Sequence, residues 1–247
     1  MPEDLYHFIS VVIPAYNEEK LIGKCVDSLK KQDYPKENFE IIVVDHRSTD
    51  KTSEIAKQHG ANVLRFTEDK ATIGSTRQFG SESAKGQIIA YVDADSVPAM
   101  DWLLRINKHM QNEKIVCVGG IAILDTQKRS ALFMISFYDY FLRVNQFFGK
   151  TLPWGFNMAV RKDALLAIGG FDKGLKTSED WDLALRLANK FGRESVVYYQ
   201  DVRVTTSARR YEHASALLPY FVNGTKNYIN VVLLGKSSAT SGYLPHT

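Results

Sequence analysis

The chain has 247 residues, of which 45% are apolar and 24% charged, and its 31 basic and 28 acidic side chains give a net charge of +3. This composition predicts a globular protein with a sizeable core, and it is unlike that of a disordered or fibrous chain. The sequence has no long Lys/Arg run and no regular basic stripe, so we expect no nucleic-acid partner.

The two cysteines and the lengths of the apolar runs predict where in the cell the protein is located. Cys25 and Cys117 lie in apolar segments without a partner at metal-ligand spacing, which is typical of reduced core thiols. The first ten residues, MPEDLYHFIS, lack the apolar run of a signal peptide. No stretch reaches about 18 uncharged apolar residues, the length that a membrane span needs. We therefore expect a cytoplasmic protein, and we leave open a peripheral contact with the inner face of the membrane.

The first half of the chain alternates between apolar runs and amphipathic segments. Strands that are apolar throughout and alternate with helices predict an α/β fold with a mainly parallel sheet covered on both faces. The predicted strands are FISVVIP (8–14), FEIIVVD (39–45), ANVLRF (61–66), QIIAYVDAD (87–95) and KIVCVGG (114–120). The predicted helices between them are EEKLIGKCVDSLKKQ (18–32), DKTSEIAKQHG (50–60), TIGSTRQFGSESAKG (72–86) and MDWLLRINKHMQN (100–112).

The second half is less regular. The aromatic-rich segment 129–150 predicts a helix, and segment 154–172 predicts a short strand, a helix and a glycine turn. Segment 178–192 predicts a helix, and SVVYYQDVRVTT (195–206) predicts one bent strand or two. A further helix and a polar tail are expected after residue 206. We find no repeat, linker or low-complexity tract and predict a single domain, 1–247.

A buried strand ends in two carboxylates. The apolar run Ile88–Val92 leads into Asp93-Ala94-Asp95. Residues two apart on an extended segment point the same way, so both carboxylates face one point beyond the carboxyl end of the strand, where α/β sheets bind ligands. They repel each other unless a cation or proton lies between them. A divalent cation, Mn²⁺ or Mg²⁺, prefers such ligands and also bridges phosphates. The alternative is that the aspartates only shape the turn before Pro98.

Five segments, in order, resemble family 2 of the glycosyltransferases, which are inverting enzymes of the GT-A fold that use nucleotide-diphosphate sugars. The matching segments are VVIPAYNEE (11–19), IIVVDHRSTDKT (41–52), GSTRQFGSESAKGQIIAYVDADS (74–96), GFNMAVRKDALLAIGGFD (155–172) and SEDWDLALRL (178–187). The resemblance implies a GT-A fold with a Rossmann-like sheet, a UDP- or GDP-sugar donor, a divalent cation, and a glycan or lipid-linked acceptor. The resemblance implies that residues 1–120 bind the donor and that residues 121–247 bind the acceptor.

The resemblance also implies the donor-binding residues, which follow the predicted strands. The PAYNE loop would hold the base and ribose, Asp45 would accept a hydrogen bond from a base N–H, and the Arg77 guanidinium would lie near the base or diphosphate. The implied set is Pro14, Ala15, Tyr16, Glu18, Asp45, Arg77, Asp93, Ala94 and Asp95, in which Asp93 and especially Asp95 also bind the metal. Three alternatives stay open: Asn17 as a helix N-cap, Asp50 as a cap of the next helix, and Arg77 on a solvent-facing helix surface.

The chain departs from the family pattern in three places. His46-Arg47 replaces a small polar pair, and Gln78 replaces the Asn of A-R-N-x-G. Arg47 would either touch an acceptor phosphate or face solvent. Many relatives place a metal-binding His after the last strand, where this chain has Arg209 and Arg210. These two arginines would either neutralise the leaving diphosphate or be solvated at a helix start.

An inverting transfer needs one base that deprotonates the acceptor hydroxyl as it attacks the anomeric carbon. By the resemblance, Asp180 is that base, and Glu179 is its neighbour or an acceptor contact. The alternative is that both carboxylates only complement the positive end of a helix. Trp154 and Asn157 are expected to contact the acceptor.

Two further questions stay open. The aromatic segment 129–150 predicts either contact with a membrane surface or packing in the core or a dimer. The competing functions are a non-catalytic nucleotide-sugar binder or scaffold, a retaining GT-A transferase, and a nucleotidyltransferase. The nucleotidyltransferase lacks support, because the chain has no Gly-rich entry loop of the G-x-G-T-R-x-x-P-x-T-K type.

Overall fold

The structure is a computed structural model, and it describes residues 6–209, residue 226 and residues 228–233. Within them, eight strands form one sheet in the order β3-β2-β1-β4-β7-β6-β8-β5. The strands are β1 (Ile9–Ala15), β2 (Phe39–Asp45), β3 (Asn62–Arg65), β4 (Ile88–Tyr91), β5 (Ser96–Pro98), β6 (Cys117–Asp125), β7 (Met158–Arg161) and β8 (Val196–Ser207).

Seven α-helices and three short helical turns connect or follow these strands in the described residues. The helices are α1 (Ile22–Lys30), α2 (Thr52–Gln58), α3 (Ile73–Ser83), α4 (Trp102–His109), α5 (Arg129–Phe147), α6 (Lys162–Ala167) and α7 (Glu179–Phe191). Turns of 3₁₀-helix span Lys36–Asn38 and Arg193–Ser195, and a π-helix spans Tyr228–Leu233. Most of the helix and tail predicted after residue 206 falls outside the described residues.

The strands β3, β2, β1 and β4 run parallel. β1, β2 and β4 are largely buried on both faces, whereas β3, at the edge of the sheet, is partly exposed. Side chains one residue apart on a strand point to opposite faces. Along β1, Val11 and Ile13 therefore pack in a core cluster with α1 and α4, whereas Val12 packs in a second cluster with α6 and α7. Two-sided burial explains why β1, β2 and β4 are mostly apolar. Cys25 and Cys117 are buried and free, as predicted for core thiols.

The other half of the sheet is mixed. β7 is antiparallel to both β4 and β6, β8 is parallel to β6, and β5 is antiparallel to β8. The predicted strand 87–95 is thus shorter than expected: it ends at Tyr91, and a separate strand begins at Ser96. The segment between them is the turn that carries Asp93 and Asp95. Segment 195–206 is one strand, and its register against β6 shifts after Gly120.

The parallel register brings three strand ends to one edge of the sheet. Ala15 at the end of β1 pairs with Asp45 at the end of β2, and β4 pairs with β1 up to Tyr91. The loops that follow these three strands therefore meet beyond that edge. None of the helices in the described part of the chain is long and apolar enough to cross a membrane.

Candidate active site

An open cleft of about 920 Å³ lies beyond the carboxyl ends of β1, β2 and β4. Its walls come from the loops after these strands, from the segment that leads into α3, and from the loop before α7. Of the residues expected to bind the donor, seven line the cleft: Pro14, Ala15, Tyr16, Glu18, Asp93, Ala94 and Asp95. Asp45, Arg77, Glu179 and Asp180 do not line it.

The loop after β1 is held by the loop after β2. Asn17 has a left-handed backbone with φ of 53°, and its side-chain oxygen accepts a hydrogen bond from the Thr49 N–H at 2.8 Å. The interpretation of Asn17 as a helix N-cap is wrong, because α1 begins only at Ile22. The loop leaves Tyr16 half exposed in the cleft, with its ring 6.1 Å from that of His46.

Asp45 is buried at the end of β2. Its carboxylate accepts hydrogen bonds from the Ser48 N–H at 3.1 Å and from the Ser53 hydroxyl. These bonds fix the carboxylate within the loop, and His46 and Arg47 line the cleft in front of it. Asp50 accepts a hydrogen bond from the Thr52 N–H in the first turn of α2, although Lys51 occupies the cap position.

Arg77 is buried between two carboxylates, and it does not lie on a solvent-facing helix surface. Its side chain is 2% exposed. One terminal nitrogen lies 2.5 Å from a Glu179 oxygen, and the other lies 3.0 Å from an Asp93 oxygen. Arg77 thus connects the turn after β4 to the first turn of α7. Without Arg77, both carboxylates would lose their counter-charge.

Asp180 lies beside this ion pair at the start of α7. One of its oxygens accepts a hydrogen bond from the Gly155 N–H at 2.7 Å. A Cβ atom at Gly155 would lie 2.5 Å from the nearest Arg77 nitrogen and 2.9 Å from an Asp180 oxygen. Only glycine therefore lets this backbone approach the pair so closely. This role of Gly155 was not predicted from the sequence, although Gly155 stands in one of the matching segments.

The acidic pair at the start of α7 has raised pKa values. Burial and then the nearby charge of Asp180 raise the pKa of Glu179 from its ordinary 4.5 to about 7, and the Arg77 guanidinium offsets part of this rise. Burial also raises the pKa of Asp180, against the opposing effect of Arg77 and of backbone N–H donors. A carboxyl whose pKa lies nearer neutrality is better suited to accept a proton.

We expect the pKa of Glu179 to appear in the pH dependence of stability. Between about pH 4.5 and 7 the folded state holds this proton and the unfolded state does not, so the free energy of unfolding should fall as the pH rises. The Glu179→Gln variant should lack this contribution, because an amide does not titrate. Urea denaturation of both proteins at about pH 5 and about pH 8 measures the difference. Equal losses in the two proteins would show that the Glu179 pKa is not raised.

The two residues expected to contact the acceptor are buried. Asn157 is fully buried: its amide donates to the carbonyls of Ile121 and Val202, and its oxygen accepts from the Trp102 indole at 2.9 Å. The expectation of an acceptor contact at Asn157 is wrong, because its polar atoms join three elements of the fold. Trp154 is 7% exposed and packs 4.6 Å from the ring of Tyr138.

Arg209 joins the two acidic sides of the cleft. Its guanidinium lies 2.8 Å from a Glu18 oxygen and 3.1 Å from an Asp95 oxygen. It also lines a smaller adjoining cavity of about 100 Å³ with Asp95. Arg209 is therefore a half-exposed cation in the site, and it is not a solvated arginine without partners. Arg210 lies outside the described residues.

The donor atoms at the end of β4 suit a divalent cation. Asp93 and Asp95 both line the cleft and offer carboxylate oxygens, which are the ligands that Mn²⁺ and Mg²⁺ take. In the described part of the chain, no cluster of three or more His, Cys, Asp or Glu side chains could hold a metal. Among the described residues, Asp93 and Asp95 are therefore the carboxylates that such a cation would take as protein ligands.

Sequence analysis missed one wall of the cleft. The residues of this wall and its neighbours are Thr49, Asp69, Lys70, Ala71, Thr72, Ile73, Thr76 and Lys176. One local signal was available. Thr72 accepts a hydrogen bond from the Ser75 N–H and the Ser75 hydroxyl accepts one from the Thr72 N–H, which is a capping box and marks the start of α3 at the cleft.

The open cleft beyond the carboxyl ends of parallel strands, lined by paired carboxylates, lies where α/β folds bind their ligands. The chain belongs to glycosyl transferase family 2, since the sequence model of that family matches residues 10–169, which is more than half of the chain. The family resemblance stated from the motifs is thereby confirmed.

One curated relative and two solved structures illustrate the match. The relative is the dolichyl N-acetyl-alpha-D-glucosaminyl phosphate 3-beta-D-2,3-diacetamido-2,3-dideoxy-beta-D-glucuronosyltransferase of Methanococcus voltae, 30% identical over 203 residues. The match covers 73% of this chain and 61% of the relative, so this chain spans less than two thirds of that protein's length.

The first solved structure is the mannosyltransferase PcManGT from Pyrobaculum calidifontis in complex with GDP-Man and Mn²⁺. It has a TM-score of 0.71 and 24% identity, and the match covers 90% of this chain and 65% of that one. The second is TarS (1–349) from S. aureus in complex with UDP-GlcNAc, with a TM-score of 0.66, 22% identity, and 84% and 60% coverage. These likenesses confirm the predicted GT-A fold.

Proposed function

We propose that this protein transfers a sugar from a nucleotide-diphosphate sugar to an acceptor hydroxyl with inversion at the anomeric carbon. The observation that carries the proposal is the arrangement of two acidic groups with different environments. Asp93 and Asp95 line the cleft, whereas Asp180 is not part of its lining and accepts a hydrogen bond from the Gly155 N–H. In an inverting transfer, one set of carboxylates would hold the cation that neutralises the diphosphate. A separate carboxylate would accept the proton of the acceptor hydroxyl.

The N-terminal half, residues 1–120, would hold the donor. Most of the cleft wall comes from this half, including the exposed face of Tyr16. Asp93 and Asp95 would bind a divalent cation, which when present neutralises charge on the diphosphate. The neighbouring structures contain GDP-Man in one case and UDP-GlcNAc in the other, so both nucleotides stay in the proposal.

The transfer itself is one in-line displacement. The acceptor oxygen forms a bond to the anomeric carbon as the bond from that carbon to the diphosphate oxygen breaks, and the electron pair leaves with the nucleotide diphosphate. Asp180 takes the proton of the acceptor hydroxyl. Arg209, already paired with Glu18 and Asp95, would place positive charge near the leaving group. Arg77 keeps the Asp93 turn and the start of α7 in a fixed relation.

The acceptor is proposed to be a lipid-linked glycan and to bind against residues 121–247. The support is the printed name of the M. voltae relative, whose acceptor is a dolichyl-linked sugar phosphate. Lys176, in the loop before α7, lines the cleft and would lie on the acceptor side. A cation at this position suits an acceptor that carries phosphate.

A thermal-shift screen with UDP-, GDP- and dTDP-sugars tests the proposal and selects the nucleotide. The correct donor should raise the melting temperature in proportion to the logarithm of its concentration over its dissociation constant, with Mn²⁺ increasing the effect. Release of nucleotide diphosphate on addition of a lipid-linked acceptor, with an inverted linkage in the product, should follow. Binding without any release would instead identify a non-catalytic nucleotide-sugar binder, and a retained linkage would identify a retaining transferase.

We expect Asp95→Ala to abolish activity and the Mn²⁺-dependent part of the thermal shift. Without the carboxylate, the cation loses a protein ligand and the diphosphate loses its bridge. The matched control is Glu113→Ala, which removes an exposed carboxylate from the loop after α4, away from the cleft, and should leave both measurements unchanged. Full activity of the wild type in excess chelator would contradict the metal assignment.

A further inference from the structure

The helix α5 has an exposed aromatic face. Phe133 is 74% exposed and Phe147 is 85% exposed, and Phe137 and Tyr140 between them are more than half exposed. These positions are separated by four, three and seven residues, so they lie along one line of the helix. Phe148, also exposed, extends the line at its end. We call these five residues the aromatic stripe.

The opposite face of α5 is packed against the fold. Ala131, Ile135 and Leu142 are buried in a cluster that also contains Trp154 and Trp181. Burial on this side fixes the orientation of the helix, so the aromatic stripe points outward because the fold places it there. Contiguous exposed apolar residues on a protein surface often mark an interaction site.

The charges around the stripe are almost all positive. Exposed Arg129 lies at the start of α5, Arg143 lies near its end, and Lys150 follows it. Between residues 126 and 162 the sequence contains one acidic residue, Asp139. The Asp139 carboxylate already accepts a hydrogen bond from the Tyr198 hydroxyl at 2.5 Å and forms an ion pair with Arg143 at 3.0 Å.

We propose that the aromatic stripe of α5 docks this protein on an anionic phospholipid bilayer. Aromatic rings beside basic side chains match the interface of such a membrane, in which the rings enter the headgroup boundary and the cations meet lipid phosphates. The charges argue against a second copy of the chain as the partner of the stripe. Arg129 at one end of the stripe and Lys150 at the other are basic, so two stripes packed in either direction would place cations against cations, and Asp139 is already paired with Arg143.

Docking through α5 would hold the site close to the membrane. The buried face of the helix contacts the cluster around Trp181, the residue after the proposed base, with the Tyr138 and Trp181 rings 6.2 Å apart. A lipid-linked acceptor would then reach the site without leaving the bilayer. The docking surface goes beyond the proposed sugar transfer and is tested without it.

The test is co-sedimentation of the full chain with vesicles of phosphatidylcholine alone and of phosphatidylcholine mixed with phosphatidylglycerol. Wild-type protein should bind the mixed vesicles, and more weakly the neutral ones. The variant Phe133→Ser/Phe137→Ser/Phe147→Ser should bind mixed vesicles at least about ten-fold more weakly, since full burial of a single Phe is worth about that much. A matched control replaces three exposed apolar residues elsewhere, Met100, Leu166 and Phe191, with serine.

Charge reversal supplies a second arm. Arg129→Glu should lower binding to the mixed vesicles by roughly five-fold or more, since one basic side chain near an anionic membrane is worth about that factor, and it should leave binding to neutral vesicles unchanged.

Three outcomes would overturn the proposal. In the first, the stripe variant binds vesicles as well as the wild type. In the second, the stripe variant has a lower melting temperature than the control triple, which would mean that the chain itself covers the stripe. In the third, ultracentrifugation shows that the wild-type protein is a dimer and the stripe variant is a monomer, and the wild-type dimer binds no vesicles. A protein that binds vesicles but transfers no sugar would uphold the docking surface and contradict only the proposed function.

Discussion

The Asp180→Asn variant should bind the donor normally and lose about 10²–10⁴-fold in turnover, which is the range typical of a general base. The amide is nearly isosteric with the carboxylate, and its oxygen can still accept the hydrogen bond from the Gly155 N–H. It cannot, however, accept the acceptor proton at neutral pH. The measurement is kcat together with the donor-induced thermal shift on the same preparation.

A carboxylate on the same turn of α7 provides the control. Asp182 pairs with Arg186 through contacts of 2.7 and 2.8 Å, and it has no part in the proposed site. Asp182→Asn should therefore keep its turnover per folded molecule. If Asp180→Asn instead unfolds at lower temperature and turns over normally, Asp180 has only a structural role. If Glu179→Gln is the inactive variant and Asp180→Asn is active, the base moves by one residue.

Replacement of Arg77 by alanine should destabilise the fold by about 3–5 kcal/mol, because removal of one member of a buried ion pair leaves the other charges without compensation. Arg77 is 2% exposed and holds Asp93 and Glu179, and Asp180 lies beside them. The free energy of unfolding, measured by urea denaturation, tests this directly. Activity should also fall, because the metal turn and the start of α7 lose their connection.

Two comparisons make the Arg77 result specific. Arg105→Ala removes a partly exposed arginine that pairs with Asp101, the residue before α4, and with Asp201, and it should change stability little. The double variant Arg77→Met/Glu179→Gln should recover part of the loss, because it also removes one of the uncompensated buried carboxylates. If Arg77→Ala unfolds like wild type and only raises the donor KM, Arg77 contacts the donor in solution and the buried pairing is wrong.

Local patterns were sufficient for much of the fold. The apolar runs predicted β1 and β2 within a residue, because burial on both faces favours apolar side chains along the strand. The edge strand β3 was also predicted within a residue at each end, although it is partly exposed. The strand predicted at 114–120 begins later, at Cys117, and extends to Asp125. The pairing of β5 with β8 could not be read from three residues, Ser96–Pro98, whose partner lies over a hundred positions away.

The sequence by itself determined that carboxylates stand at the end of β4 and at the start of α7, and the family motifs identified both positions. Only the tertiary structure decided what surrounds them. Arg77 was expected near the donor, with a solvent-facing helix surface as the alternative, because α3 is rich in small polar residues and has little apolar periodicity. Its partners lie 16 and 102 positions away in the chain, so no local pattern could show that it is buried. The expectation for Asn157 was wrong for the same reason. The sequence does not show whether an asparagine is buried or exposed; only the neighbours that pack around it in the fold decide this.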